Sequence, residues 1–335
     1  MESSVAYLEG WLPIRLYLLS ARLMVDWCYL GDQRLTHPFF EQTVATALRH
    51  PFQALFRHQT PIDTLIDLAE ERPGVPPAGF IFHLSRCGST LISQMLAALP
   101  QHLVLSEPPP LNVMLGARRR DPQIDEEQQI AWLRALVAAL CQPRGGQERL
   151  AFIKFDSWNV LDLSLIRRVF PQVPWIFLYR DPVEVLVSHQ TMPGMQMIPG
   201  TLRPDPFGIP LAVTSAETLL EYGALVLARI CAAALEHIEA EGGVLVNYSE
   251  LPAAVETVVA PLFGLRSTPE EQTAMRQATG VHAKDPHRPF VSDADTKRRA
   301  APAQLRRMVE RHVGAYYARL EELRRCQIAD RTHVC

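Results

Sequence analysis

Residues 80–96 read "FIFHLSRCGSTLISQML". An apolar run from Phe80 to Phe82 meets a polar knot from Ser85 to Thr90, and a helical pattern starts at Leu91. This order predicts a buried strand, a turn, and a helix beginning near Ser89. Such a turn can aim several backbone N–H groups at one anion, and the helix N-terminus adds a favourable dipole. Gly88 allows close backbone approach. Ser89 and Thr90 add hydroxyls, Arg86 adds a charge, and Cys87 lies within the turn. Together they outline a phosphate cradle, although the GxxxxGK[ST] pattern is absent and no Lys precedes Ser89. The bland alternative is a plain strand-to-helix turn capped by Ser and Thr. A thiol at a helix N-terminus can be activated, but Cys87 has no evident partner base.

The alternation continues outward. Strand-like "HLVLSE" (102–107), "RLAFIKFD" (149–156), "WIFLYRDP" (175–182) and "GGVLVNYSEL" (242–251) alternate with helical "DEEQQIAWLRALVAALCQP" (125–143), "LDLSLIRRVFP" (161–171) and "VEVLVSHQ" (183–190). Strand-then-helix repetition predicts an α/β fold, a parallel sheet flanked by helices. Chemistry in such sheets gathers at the carboxyl ends of the strands, where Glu107, Lys154, Asp156 and Arg180 fall. "RPGVPPAG" (72–79) is a breaker cluster and divides residues 1–75 from 76–335. Upstream, "IRLYLLSARLMVDWCYLGDQRL" (14–35) predicts a hairpin or small meander broken near Ser20. "HPFFEQTVATALRH" (37–50) predicts a helix. "TPIDTLIDLAEER" (60–72) predicts another, capped by Thr60 with Pro61 at its first position. This is a small N-terminal α+β subdomain. Its aromatic stretches "WCYL" and "HPFF" read as a small core, or as a contact surface for a protein partner or a dimer. "TMPGMQMIPGTLRPDPFGIP" (191–210) predicts a long irregular loop of the kind that serves as a lid.

A second anion signal follows. Arg180 ends a strand, and Ser188 lies eight residues on, inside the next helix. So placed, they can hold a second phosphate; the alternative for Arg180 is a surface ion pair with Asp181 or Glu184. Together the two elements resemble the sulfotransferase family that uses 3′-phosphoadenosine 5′-phosphosulfate (PAPS), a family with a P-loop-type sheet. The resemblance spans residues 78–320 or so. It implies that "SRCGST" (85–90) holds the 5′-phosphosulfate, with Arg86 where the family has Lys or Arg. It implies that Arg180 and Ser188 hold the 3′-phosphate and that Tyr248 in "NYSEL" touches the nucleotide. "SDADTKRRAAP" (292–302) matches a basic loop that grips the 3′-phosphate, and offers Lys297, Arg298 and Arg299. The donor product would be 3′-phosphoadenosine 5′-phosphate (PAP).

The motif layout is closest to the tyrosylprotein and bacterial branches, where a catalytic Glu follows the cradle helix; here that is Glu107. Asp156 stands where the cytosolic small-molecule branch carries a catalytic His, two residues after a Lys, here Lys154. With no His at 156, Glu107 is expected to be the general base for a hydroxyl or amine of a small-molecule or peptide acceptor. Lys154 is expected to stabilise charge on the bridging oxygen, and Asp156 to orient Lys154 or the acceptor. The competing roles are a cap before Pro108 for Glu107 and an N-cap of the 157–163 segment for Asp156.

Two other functions stay open. An ATP-dependent kinase could place Mg2+ on Thr90 and Asp156, though ATP has no 3′-phosphate for Arg180 and Ser188. A non-catalytic nucleotide-binding module would not need Glu107 and Lys154. His83 reads as a packing residue and His189 as a neutral surface histidine. "ARRRD" (117–121) reads as a solvated face, or as a collector of anionic acceptors. With 33 basic against 36 acidic residues, bulk nucleic-acid binding is not expected. Six cysteines without CxxC or metal spacing read as free thiols in a reducing compartment. With no signal-peptide pattern and no uncharged apolar window long enough to span a bilayer, a cytoplasmic, metal-free protein is expected.

Overall fold

Aromatic and β-branched residues build a small antiparallel sheet near the N-terminus. Its strands are β1 (Trp11–Leu19), β2 (Arg22–Tyr29) and β3 (His58–Pro61), with β2 in the middle. The structure, a computed structural model, describes residues 5–19, 22–210, 212–278 and 294–333; Ser20, Ser292, Asp293 and Cys335 lie outside these. The meander is present, but its third strand takes residues that looked helical. Thr60 pairs with Val25, and its Oγ1 accepts from Trp27 Nε1 at 2.9 Å. The helix starts later, at Thr64–Glu71, with Asp63 at its N-cap. A buried indole N–H needs an acceptor, and meeting that need outweighs a local capping signal.

The main sheet has five parallel strands: β4 (Pro77–His83), β5 (His102–Ser106), β6 (Leu150–Lys154), β7 (Trp175–Tyr179) and β8 (Val244–Asn247), in the order β5-β6-β4-β7-β8. The chain builds β5 and β6 on one side of β4, then crosses to β7 and β8 on the other. The carboxyl end of β4 is therefore a topological switch point, where α/β sheets bind ligands. Alternate side chains feed opposite faces. Phe80, Phe82, Ile153 and Phe177 enter one apolar cluster, and Ile81, Phe152, Ile176 and Leu178 the other. Both faces are covered, which is why these strands read as unbroken apolar runs.

The small sheet is mounted on the helices of one face. Leu12, Leu16 and Val25 share a cluster with Leu111, Trp132 and Leu136. Trp132 Nε1 donates to Asp63 Oδ1 at 2.9 Å. Helix Ala216–Glu241 is long and apolar enough to cross a membrane, yet it buries Gly223, Leu227, Cys231 and Ala234 in this fold. Cys28, Cys87, Cys141 and Cys231 are buried free thiols, and Cys326 is exposed. Two short helices follow Glu107: Pro109–Leu115 starts just after Pro108, and Ala117–Arg120 takes up the charge run that read as a solvated face. Lys297, Arg298 and Arg299 lie in the last turn of helix Ala294–Ala300, not in a loop.

Candidate active site

The turn between β4 and helix Ser89–Ala97 is strained. Ser85 and Arg86 have φ of 73° and 51°, and Gly88 has 89°. Left-handed backbone costs a non-glycine residue on the order of 1–2 kcal/mol. A Cβ on Gly88 would also lie 2.8 Å from Leu251 Cδ1 and 3.0 Å from Tyr248 Cδ2. Among the described residues, the third non-glycine position with such a φ is Glu107, at 56°. All of these line one cleft of about 1100 Å³ at the carboxyl ends of the strands.

The same cleft is lined by Arg180, Ser188, Tyr248 and Lys297, so both anion signals open onto a single cavity. Arg180 is buried, pairs with the buried Glu184, and stacks 4.1 Å from the Tyr248 ring centroid. The partner foreseen for it is present, but the pair is internal rather than on the surface. Ser188 Oγ donates to the Glu184 carbonyl at 3.0 Å. Arg298 Nε lies 2.6 Å from Glu184 Oε1 and 3.5 Å from Asp181 Oδ2. Two guanidiniums thus converge on one buried carboxylate, and Asp181 is a second counter-ion to Arg298. Arg299 is exposed and does not line the cleft. Arg86 Nη2 donates to the Met192 carbonyl at 2.6 Å and so anchors the 191–210 loop. Cys87 offers only its backbone: its Sγ turns inward to donate to the Leu178 carbonyl at 3.2 Å, and burial pushes the thiol up to about 12.

Glu107 sits at the end of β5, where its backbone N–H donates to the Lys154 carbonyl at 2.8 Å. Its Oε1 is 3.0 Å from Lys154 Nζ and 3.3 Å from His83 Nε2. His83 Nδ1 accepts from the Ser85 N–H at 3.0 Å, so the neutral ring carries its proton on Nε2, facing Glu107. Burial lowers the His83 pKa and keeps it neutral. Burial by itself would raise Glu107, but the Lys154 ammonium and then His83 outweigh it and hold the carboxyl down to about 2. Lys154 is fully buried; its Nζ lies 3.5 Å from Thr90 Oγ1 and 4.7 Å from the Phe39 ring centroid.

Asp156 does not bond to Lys154. Its Oδ2 accepts from Asn112 Nδ2 at 2.7 Å, and it forms the N-cap of the turn Ser157–Asp162 while lining the cleft. Burial and then the Glu107 charge push it up to about 8, so it is largely protonated at neutral pH.

A sulfotransferase-family model matches residues 77–263, more than half of the chain. The chain belongs to the sulfotransferase family. Similar solved structures include a sulfotransferase of Mycobacterium avium (14% identity, TM-score 0.45, covering 75% of this chain and 81% of that one). Others are the sulfotransferase domain from the curacin biosynthetic pathway (18%, 0.41, 71% and 98%) and a sulfotransferase of Alicyclobacillus acidocaldarius (15%, 0.43, 75% and 96%). No curated protein matches the chain in sequence.

Several residues of this sulfotransferase's site escaped sequence reading. His189 is buried, not superficial: its Nε2 is 3.2 Å from Ser85 Oγ, and its Nδ1 accepts from the Gly194 N–H at 3.1 Å. Gln196 Nε2 donates to the same Ser85 Oγ at 3.0 Å. The 191–210 loop is thereby tied to the first residue of the cradle. His189 had a usable signal, its place directly after Ser188; Gln196 had none. Phe39 and Glu41 line the cleft as well, so the N-terminal segment supplies part of its wall.

Proposed function

We propose that this sulfotransferase uses PAPS as donor and sulfates a hydroxyl or amine, leaving PAP. The observation that carries this reading is the shared cleft: the strained Ser85–Thr90 turn and Arg180, Ser188, Tyr248 and Lys297 line one cavity. A molecule with anionic groups on both sides of an adenosine needs that arrangement. PAPS, when bound, supplies a sulfuryl group on a good leaving group. The turn amides with Ser89 and Thr90 would hold its 5′ end. Arg180, Ser188 and Lys297 would hold its 3′-phosphate, with Tyr248 beside the nucleotide. Arg180, which lines the cleft, offers an incoming phosphate a guanidinium donor.

Glu107 is the base in this reading. With its pKa near 2 it is a weak one, and Lys154 sets that weakness. Lys154 Nζ lies 3.0 Å from Glu107 Oε1 and 3.5 Å from Thr90 Oγ1, within reach of both sides of the site. Negative charge on the cradle side draws the ammonium toward Thr90. Glu107 then loses its main counter-ion and becomes more basic, ready to take the acceptor proton. Protonated Asp156 can donate a hydrogen bond to the acceptor and cannot compete as base. A kinase reading fits these groups less well. Mg2+ on Thr90 would lie beside the Lys154 ammonium, and the other oxygen ligand, Asp156, is largely uncharged at neutral pH.

Thermal stabilisation by PAP, by ATP with Mg2+ and by ADP tests the reading. Ligand at 100 times its dissociation constant adds about 2.7 kcal/mol. A preference for PAP that disappears in Arg180→Ala is the expected result. A preference for ATP with Mg2+ overturns it.

A further inference from the structure

The acceptor side of the cleft has a polarity of its own. The helices Pro109–Leu115 and Ala117–Arg120 run on almost without a break: the Gly116 N–H donates to the Asn112 carbonyl and the Arg120 N–H to the Gly116 carbonyl, both at 3.1 Å. Pro109, Asn112, Val113, Gly116, Arg119 and Arg120 line the cleft, and their spacing is that of a single helix face. This face is one wall of a channel that starts at Glu107. The Arg119 and Arg120 side chains fold back over Gly116: a Cβ there would lie 3.6 Å from Arg119 Nη2 and 3.9 Å from Arg120 Nε. Trp158, Leu202 and Pro204 line the cleft too and give it an apolar stretch.

Charge is segregated along the wall. Glu107 and Asp156 lie at its start, with Glu41 close enough to raise Asp156 further. Arg120 is at its far end, and Arg203 lines the cleft from the 191–210 loop. Arg119 is neutralised by a two-point pair with Asp162. No carboxylate pairs with Arg120 or Arg203 among the described residues; Arg203 Nε donates only to the Gly200 carbonyl at 3.1 Å. Met192 and Met195, 62% and 54% exposed, add apolar surface at the mouth.

From this geometry, and resting on the sulfuryl-transfer reading above, we propose that the acceptor is an elongated anionic amphiphile. It presents a hydroxyl to Glu107, lays an apolar segment along Val113, Trp158 and Leu202, and places a carboxylate or phosphate on Arg120 and Arg203. The helical rise from Pro109 to Arg120 is about 17 Å along the axis. Side chains lean toward a helix N-terminus, which shortens the separation of the charged groups to roughly 12–15 Å. In the step itself the acceptor oxygen bonds to sulfur as the donor's S–O bond to phosphate breaks. The acceptor proton passes to Glu107, and PAP departs with the bond electrons.

The test compares 10-hydroxydecanoate with its neutral isostere 10-hydroxydecanamide and with the short 4-hydroxybutanoate. Sulfated product is measured by mass spectrometry, and PAP binding by thermal shift in parallel. The long acid is expected to exceed both others in kcat/KM by about tenfold, the scale of two partly exposed charge contacts. In Arg120→Gln/Arg203→Gln the acid-to-amide ratio falls toward one, with the amide as internal control for folding and chemistry. Equal use of acid and amide, an unchanged ratio in the double variant, or no turnover of any of the three by protein that binds PAP overturns the inference alone. Failure to bind PAP overturns the donor reading, and this inference with it.

Discussion

Replacing Asp156 by Asn should stabilise the protein progressively as pH rises. In the fold its carboxyl is raised from 3.8 to about 8, by burial first and by Glu107 second. The native state then holds a proton that the unfolded chain has released, so stability declines as pH climbs from about 4 to 8. The whole displacement corresponds to roughly 6 kcal/mol at about 1.4 kcal/mol per unit. Asp156 lines an open cleft, and water screens part of this, so ~2–3 kcal/mol is the realistic scale. The amide of Asp156→Asn keeps the essential contact, because its oxygen still accepts from Asn112 Nδ2. Urea unfolding of both proteins at pH 4, 6 and 8, with equal m-values, reads the effect directly. The difference should be near zero at pH 4 and ~2–3 kcal/mol in favour of the variant at pH 8. A difference independent of pH, or one largest at pH 4, would refute the protonated-acid assignment.

Glu107 carries the opposite sign. Its carboxyl is held from 4.5 down to about 2, so its stabilisation is complete above pH 4.5 and is lost as pH falls toward 2. Glu107→Gln should therefore flatten the acid limb of the stability curve. The same variant should keep PAP affinity while turnover drops ~100-fold or more; near-normal turnover would place the base elsewhere. Gly88→Ala should lose PAP binding, because its Cβ meets Leu251 and Tyr248, whereas Gly146→Ala, at φ 72° in open space, should carry backbone strain only. Equal PAP affinity in the two variants would remove Gly88 from the cradle. Iodoacetamide should modify exposed Cys326 in the native protein and spare Cys87, whose buried thiol is pushed up to about 12. Rapid labelling of Cys87 counts against the packing described.

The elements of the main sheet were legible because each rests on local chemistry. Apolar runs buried on both faces, Gly88 at a left-handed turn, and polar groups at strand ends all leave marks within a few residues. The sequence therefore determined an α/β sheet with two anion elements, and it identified Glu107, Lys154, Arg180 and Ser188 as cleft candidates. It misjudged Thr60, because a sheet partner 35 residues away competes with a capping signal at close range. It could not set the ionisation of Glu107 and Asp156. Those states depend on a Lys ammonium, a His ring and an Asn amide converging from β6, β4 and a helix outside the sheet. Nor could it bring Phe39 to Lys154, His189 and Gln196 to Ser85, or Arg298 to Glu184. Electrostatic energy depends on distance through space and on the water excluded along the way. Only the assembled tertiary structure decides either one.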